Sequence, residues 1–282
     1  MIEWLTTMLS YNFIIRALVV GLLVSLCSAL LGVSLVLKRY SMIGDGLSHV
    51  GFGSLAVAAS LGVAPLLVAV PVVLASAFLL LRVSERSKIK GDAAIGMIST
   101  GALAVGVMVL SLSRGMTTDV NNYLFGSILA MSASDVWLSA VLASAVLVLF
   151  AVFYRKLFAV TFDETFARAT GLRAGVYNML LAGLTAITVV LGMRMMGAML
   201  ISSLILFPAL TAMRVAKSFR GVVLCAAAVS ILCFLVALTL SYAYNTPTGA
   251  TVVVMNIVAF LVALGVEKGR EHRRRAAGEQ RA

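Results

Sequence analysis

Long apolar runs are the feature of this 282-residue sequence that most limits how it can fold. A membrane-spanning helix needs about 20 consecutive and mostly apolar residues, and runs of about that length recur along nearly the whole chain. Hydrophobic residues make up 62% of the sequence and charged residues only 12%, whereas an ordinary soluble domain has about half and about a quarter. The sequence therefore predicts an all-α, polytopic membrane helix bundle and excludes a water-soluble globule.

Nine apolar runs are candidates for spans, which predicts about nine transmembrane helices. They cover approximately residues 13–37, 41–62, 65–82, 92–112, 135–154, 174–193, 196–213, 221–243 and 249–266. We expect a single transmembrane domain at residues 1–266 and a charged cytoplasmic tail at 267–282. Residues 121–132 are too few and too mixed to span, so a re-entrant or interfacial segment is expected there.

The basic residues indicate how these helices are oriented. Lys and Arg total 22 against 11 Asp and Glu, a net charge of +11. Nine crossings with the N-terminus outside and the C-terminus in the cytoplasm leave only Arg16, Arg114 and Arg194 on the outer side. Cytoplasmic loops of membrane proteins are enriched in Lys and Arg, so the surplus indicates orientation in a bilayer, with lipid rather than nucleic acid as the neighbour.

One carboxylate and one histidine lie inside a predicted span. Of the 11 acidic residues, only Asp45 lies well within an apolar run, and His49 follows four residues later. On a helix both side chains project from one face, one turn apart. Ionisable groups in a bilayer normally face the bundle interior and mark an ion or substrate path, and oxygen with nitrogen donors suits zinc, manganese or ferrous iron. A salt bridge that fixes helix packing and a proton relay are the alternatives.

Other features carry weaker hypotheses. The methionines at 193, 195, 196 and 199, with Ser202 and Ser203, offer thioether ligands for Cu(I), but adaptable packing is the favoured interpretation. Pro208 marks either a kink or an ordinary membrane-helix proline. The three cysteines, Cys27, Cys225 and Cys233, fall in apolar runs and form neither a disulfide framework nor a zinc-finger spacing.

The chain lacks the phosphate-binding loop of many ATPases, Gly-x-x-x-x-Gly-Lys-Ser/Thr. It also lacks the Gly-x-Ser-x-Gly and His-Glu-x-x-His motifs of hydrolases, so an enzyme is poorly supported. Between the fifth and sixth predicted spans, residues 163–172 have an acidic start and a glycine near the end. This pattern predicts a short helix at the cytoplasmic face with Phe166 exposed, which is either a partner surface or a plain connector.

Four ordered segments resemble one protein family. Residues 38–49 are similar to a basic pair followed by Gly-Asp-x-x-Ser-His, and residues 119–129 to Asp-Leu-x-x-Tyr-Leu-Phe-Gly-Ser-Ile-Leu. Residues 163–171 are similar to Asp-Glu-x-x-Ala-x-Ala-x-Gly, and residues 197–212 to Gly-x-x-Leu-x-Ser-x-Leu-x-x-x-Pro-Ala. Together they resemble the transmembrane permease subunits of ATP-binding-cassette (ABC) importers for zinc, manganese and related divalent ions.

The resemblance implies that Asp45 and His49 contact the metal in transit. It also implies a multi-pass location in a bacterial cytoplasmic membrane, a second permease copy (a homodimer is expected), a separate ATPase subunit and an extracytoplasmic metal-binding protein. The metal would be cargo, with no permanently bound cofactor. In this interpretation the ATPase docks on the 163–171 stretch through Asp163, Glu164, Ala167, Ala169 and Gly171. The alternatives are a stand-alone secondary transporter or cation channel and an ABC permease for iron chelates or cobalamin.

Overall fold

The computed structural model describes residues 10–86, 91–113, 133–198 and 200–279, and every regular element in these ranges is a helix. In chain order, the helices are α1 (Asn12–Leu37), α2 (Ile43–Ser60), α3 (Pro65–Arg86), α4 (Gly91–Leu112), α5 (Ala133–Phe162), α6 (Glu164–Ala169), α7 (Ala174–Met196), α8 (Ile201–Val215), α9 (Phe219–Tyr244) and α10 (Thr248–Glu279).

Seven of these helices are long and apolar enough to cross a membrane: α1, α3, α4, α5, α7, α9 and α10. The all-helical, multi-pass prediction is therefore confirmed. The other two predicted spans contain helices that fall short of the same criteria. Helix α8 has only 15 residues, and α2, with 18 residues, carries a carboxylate, an imidazole and several glycines. The count of nine spans and the orientation of the termini stay predictions.

Two predictions from the sequence fall wholly or partly on residues outside the described ranges. The motif at 119–129 and the predicted re-entrant segment at 121–132 lie outside the described residues. The predicted tail at 267–282 begins within α10, which is helical as far as Glu279. The division of the chain at residue 266 stays a prediction.

Helices α1 and α7 form the centre of the bundle. Val20, Val24 and Leu31 of α1 and Val189 and Leu191 of α7 are fully or almost fully buried. Helices α4, α5 and α10 instead leave long apolar side chains exposed on their outer faces. A helix that is apolar all round is expected in a bilayer, where lipid covers the outer face.

Ion pairs between helices connect residues that the charge analysis places on the same side of the membrane. Lys38 pairs with Glu164 and Arg214 with Glu267, all four predicted to be cytoplasmic. Asp135 at the start of α5 pairs with Arg194 near the end of α7, both predicted to be on the outer side. Each of these ion pairs therefore joins two residues that the predicted orientation places on the same side of the membrane.

Candidate functional site

Helix α2 carries Asp45 and His49 and packs closely against its neighbours. Its glycines permit this approach: a Cβ at Gly53 would lie 2.7 Å from the carbonyl oxygen of Ala102 on α4, and one at Gly51 would lie 2.5 Å from the sulfur of Met193 on α7. Backbones come this close only where side chains are small. The glycines of α2 therefore permit its close contact with α4 and α7.

The carboxylate of Asp45 and the imidazole of His49 lie on one face of α2, as their spacing predicts. The His49 Nε2 and Asp45 Oδ2 atoms are 3.7 Å apart, which is too far for a hydrogen bond. Asp45 lies in the first turn of α2, nearer the helix end than the sequence suggested, and a helix N-terminus stabilises a negative charge. The Asp45 side chain is 37% exposed and that of His49 is 14% exposed.

Ser202, at the start of α8, is the third member of this group. Its Oγ donates a hydrogen bond of 3.2 Å to Oδ1 of Asp45. The hydroxyl of Ser48, which precedes His49, instead donates to the backbone carbonyl of Asp45 in its own helix, at 2.7 Å. Local spacing in the sequence could not predict the contact between Ser202 and Asp45, because the two residues are 157 positions apart.

The separation of Nε2 and Oδ2 fits two ligands of one divalent transition metal ion. Two donors bound to one zinc ion at about 2.0–2.2 Å lie roughly 3–3.6 Å apart, close to the separation seen between Nε2 and Oδ2. Nε2 of His49 faces the carboxylate, whereas Nδ1 is buried and has no hydrogen-bond partner among the described residues. Across the part of the chain that is described, no cluster of three His, Cys, Asp or Glu side chains is present.

The methionine-rich segment takes part in packing where the structure describes its side chains. Met193 and Met196 are buried in the main core, and the thioether of Met193 lies against Gly51. This supports the packing interpretation over Cu(I) binding for these two residues. Pro208 lies inside α8, which is a single uninterrupted helix from Ile201 to Val215.

The short helix predicted in the connector is present as α6. Asp163 caps it by accepting a hydrogen bond of 2.9 Å from the backbone N–H of Phe166. Gly171 follows the helix with a φ of +85°, a conformation that suits glycine, and the N–H of Leu172 donates to the carbonyl of Ala167. Phe166 is 65% exposed, as predicted from the sequence.

The other predicted docking residues occupy different environments. Ala169 is exposed, whereas Ala167 is fully buried against Val160 and Ala174 and therefore holds α6 on the bundle. The carboxylate of Glu164 turns inward to Lys38 and Asn178 and also accepts a hydrogen bond from Arg168.

The surroundings of Glu164 strongly favour its charged form. Burial alone would raise the pKa of Glu164, but hydrogen bonds from Asn178 and Lys38, the Lys38 charge and the hydrogen bond from Arg168 outweigh burial and lower this pKa from 4.5 to about 2. Asn178 was not predicted from the sequence as a functional residue, although it is a polar residue within a predicted span and is only 2% exposed. Its isolation among apolar residues was the available signal.

Comparison with known proteins decides the family. A model of the family described as "ABC 3 transport family" matches residues 10–267. The chain belongs to the ABC 3 transport family. The resemblance stated from the sequence is confirmed, and so is the localisation as a multi-pass protein of the bacterial cytoplasmic membrane.

Relatives within the ABC 3 transport family match the chain over nearly its whole length. A probable iron transport system membrane protein of Haemophilus influenzae is 33% identical, covering 96% of this chain and 99% of the relative. The manganese import system permease protein ScaB of Streptococcus gordonii is 27% identical, covering 97% and 98%. In the solved structure of PsaBC from Streptococcus pneumoniae in complex with Fab, one chain has a TM-score of 0.84 and 28% identity, covering 93% of this chain and 95% of that one.

Proposed function

We propose that the chain is the permease subunit of an ATP-driven importer that carries a divalent metal ion, zinc or manganese, across the cytoplasmic membrane. The observation that supports this most strongly is the Asp45–His49 pair. Its oxygen and nitrogen atoms lie at nearly the separation of two ligands of one metal ion, and they sit on a closely packed helix of an ABC 3 transport family protein.

Manganese is the first ion to test. ScaB is a manganese import permease by name, and a carboxylate with an imidazole suits manganese as well as zinc. Ferrous iron is the third candidate, because the Haemophilus influenzae relative is named a probable iron transport protein. In this proposal the ion is cargo in transit and leaves the permease with each cycle.

The proposed assembly has a second permease copy, an ATPase on the cytoplasmic side and an extracytoplasmic protein that delivers the metal. The nine-crossing orientation puts α6 on the cytoplasmic face, where the ATPase would dock. Asp163 and Gly171 would set the shape of α6, Glu164 and Ala167 would anchor it, and Ala169 would lie on its exposed side.

The function is tested by reconstituting the chain with its ATPase and binding protein in liposomes and supplying manganese, zinc or ferrous iron. ATP-dependent accumulation of one of these ions is expected. Flux through the purified chain alone, driven by an ion gradient, would instead establish a secondary transporter or channel.

The docking surface is tested by Phe166→Ala. Phe166 is the large exposed apolar residue of α6, and a buried aromatic anchor at an interface is worth about 2 kcal/mol or more. We expect this variant to retain less of the ATPase on co-purification. Tyr244→Ala removes an equally exposed aromatic ring from the opposite predicted side and serves as the control. Equal ATPase recovery with both variants would contradict docking through α6.

A further inference from the structure

Lys38 connects the end of α1 to the anchor of α6. Its ammonium group lies 3.0 Å from Oε2 of Glu164 and donates to the backbone oxygen of Val160, at 3.2 Å, and to Oδ1 of Asn178, at 2.5 Å. An ammonium group has three donors, and these three partners use all of them. The side chain is only 6% exposed, so no partner protein can contact the charge without first displacing the residues around it.

The three acceptors belong to three different elements. Val160 lies near the end of α5, Glu164 is the first residue of α6, and Asn178 is on the second turn of α7. The amide of Asn178 also donates to Oε2 of Glu164, at 3.1 Å, which closes the group into a network. A buried charge that loses its partner is strongly destabilising, so Lys38 and Glu164 are expected to move together.

On its other side, Lys38 is a few residues from the helix that carries Asp45 and His49. The link from Lys38 to Ile43 is compact: Tyr40 N–H donates to the carbonyl of Leu35, at 2.9 Å, and Ile43 N–H to the carbonyl of Tyr40, at 3.1 Å. Arg39 holds a φ of +61°, a left-handed conformation uncommon for a residue with a side chain. A short, hydrogen-bonded turn of this kind transmits a displacement, whereas a long flexible loop would absorb it.

We propose that Lys38 is the positioning residue that couples the docking helix α6 to the start of α2, so that movement of α6 shifts the Asp45–His49 pair. This inference rests on the proposed function, because it takes α6 as the ATPase contact and α2 as the metal helix. Lys38 touches neither partner nor metal, and its whole effect passes through Glu164 on one side and the 38–43 turn on the other.

The test compares metal transported per ATP hydrolysed in the reconstituted complex of full-length chain, ATPase and binding protein. The variants are Lys38→Gln, Lys38→Arg, Glu164→Gln and the double variant Lys38→Gln/Glu164→Gln. Lys268→Gln is the matched control, because it makes the same change at an exposed lysine on the predicted cytoplasmic side that has no ion pair to any described carboxylate. Thermal unfolding and ATPase co-purification are measured on the same samples.

We expect Lys38→Gln to lower the transport-to-hydrolysis ratio at least about fivefold, the lower end of coupling between two sites. The half-saturating metal concentration and the bound ATPase should stay at their wild-type values. Lys38→Arg keeps the charge, so its transport-to-hydrolysis ratio should lie between that of Lys38→Gln and that of the wild type. The effects of Lys38→Gln and Glu164→Gln should not add in the double variant, because either change breaks the same contact.

A transport-to-hydrolysis ratio in Lys38→Gln equal to that of Lys268→Gln would overturn the proposal. So would a loss of uptake that follows only the amount of folded protein. If Lys38→Gln fails to fold, the double variant, which leaves no unpaired buried charge, takes its place with the same expected ratio. Absence of ATP-dependent uptake by the wild-type complex would overturn the proposed function itself, a result distinct from a coupled wild type with unaffected Lys38 variants.

Discussion

At the scale of single residues, His49 offers the sharpest test of the metal path. Replacing it by Ala removes the nitrogen donor that lies 3.7 Å from the Asp45 carboxylate. We expect the initial rate of metal uptake, at a metal concentration well below saturation, to fall about tenfold or more in cells with equal amounts of the chain. His272→Ala, which alters the only other histidine, is the control. Equal uptake by the two variants would remove His49 from the path.

Glu164 provides a pH-dependent prediction. Because its pKa is about 2 in the folded chain and 4.5 is its ordinary value, its charge contributes stability that is complete above pH 4.5 and lost as pH falls towards 2. Glu164→Gln should therefore unfold at a lower temperature than the wild type at pH 7. The difference should shrink between pH 4.5 and pH 2. A difference that is the same at pH 7 and pH 2 would show that the ionised carboxylate does not anchor α6.

Local spacing and isolated charge singled out Asp45 and His49 as candidates, and the family resemblance singled out Glu164. They could not find Ser202 or the partners of Lys38. The Ser202–Asp45 contact spans 157 residues and the Lys38–Glu164 contact spans 126. Such proximity depends on how the helices pack, which a single sequence does not reveal.

At the scale of helices, the contact between α2 and α4 depends on missing side chains. Gly53→Ala would place a methyl group 2.7 Å from the backbone of Ala102, whereas Gly101→Ala meets nothing within 4 Å. Overpacking costs about 1–3 kcal/mol, while Ala in place of Gly in a helix gains about 0.5–1 kcal/mol. Thermal unfolding in detergent should show a lower midpoint for Gly53→Ala and an equal or higher one for Gly101→Ala. Equal midpoints would show that α2 and α4 can move apart freely.

Helix positions were largely predictable, because each apolar run contains one helix and the capping residues around 163–171 mark α6. The residue at which α2 begins was harder to predict. Its helix begins at Ile43, and Asp45 falls in the first turn rather than well inside a span. Hydropathy is averaged over many residues, so it does not reveal the hydrogen-bonded turn at Tyr40 that separates α1 from α2.

At the scale of the whole molecule, the hydrogen-bond network of Lys38 is connected to the Asp45–His49 pair. The docking helix, the end of α1 and the start of α2 follow one another through the Glu164–Lys38 contact and the turn at 38–43. In the proposed mechanism, the chain alternates between two arrangements when ATP binds to the partner ATPase. The chain alone has no phosphate-binding loop of the Gly-x-x-x-x-Gly-Lys-Ser/Thr type with which to drive that change.

The most direct test of the central claim is ATP-dependent uptake of manganese, zinc or ferrous iron into liposomes that contain the complete importer. The wild-type complex is compared with the Asp45→Asn/His49→Ala variant at equal ATPase content. The wild type should accumulate one of the three ions only when ATP is supplied, and the variant should lose nearly all of that uptake while retaining its ATPase. Uptake by the variant at the wild-type rate would contradict the claim that Asp45 and His49 line the path of the metal.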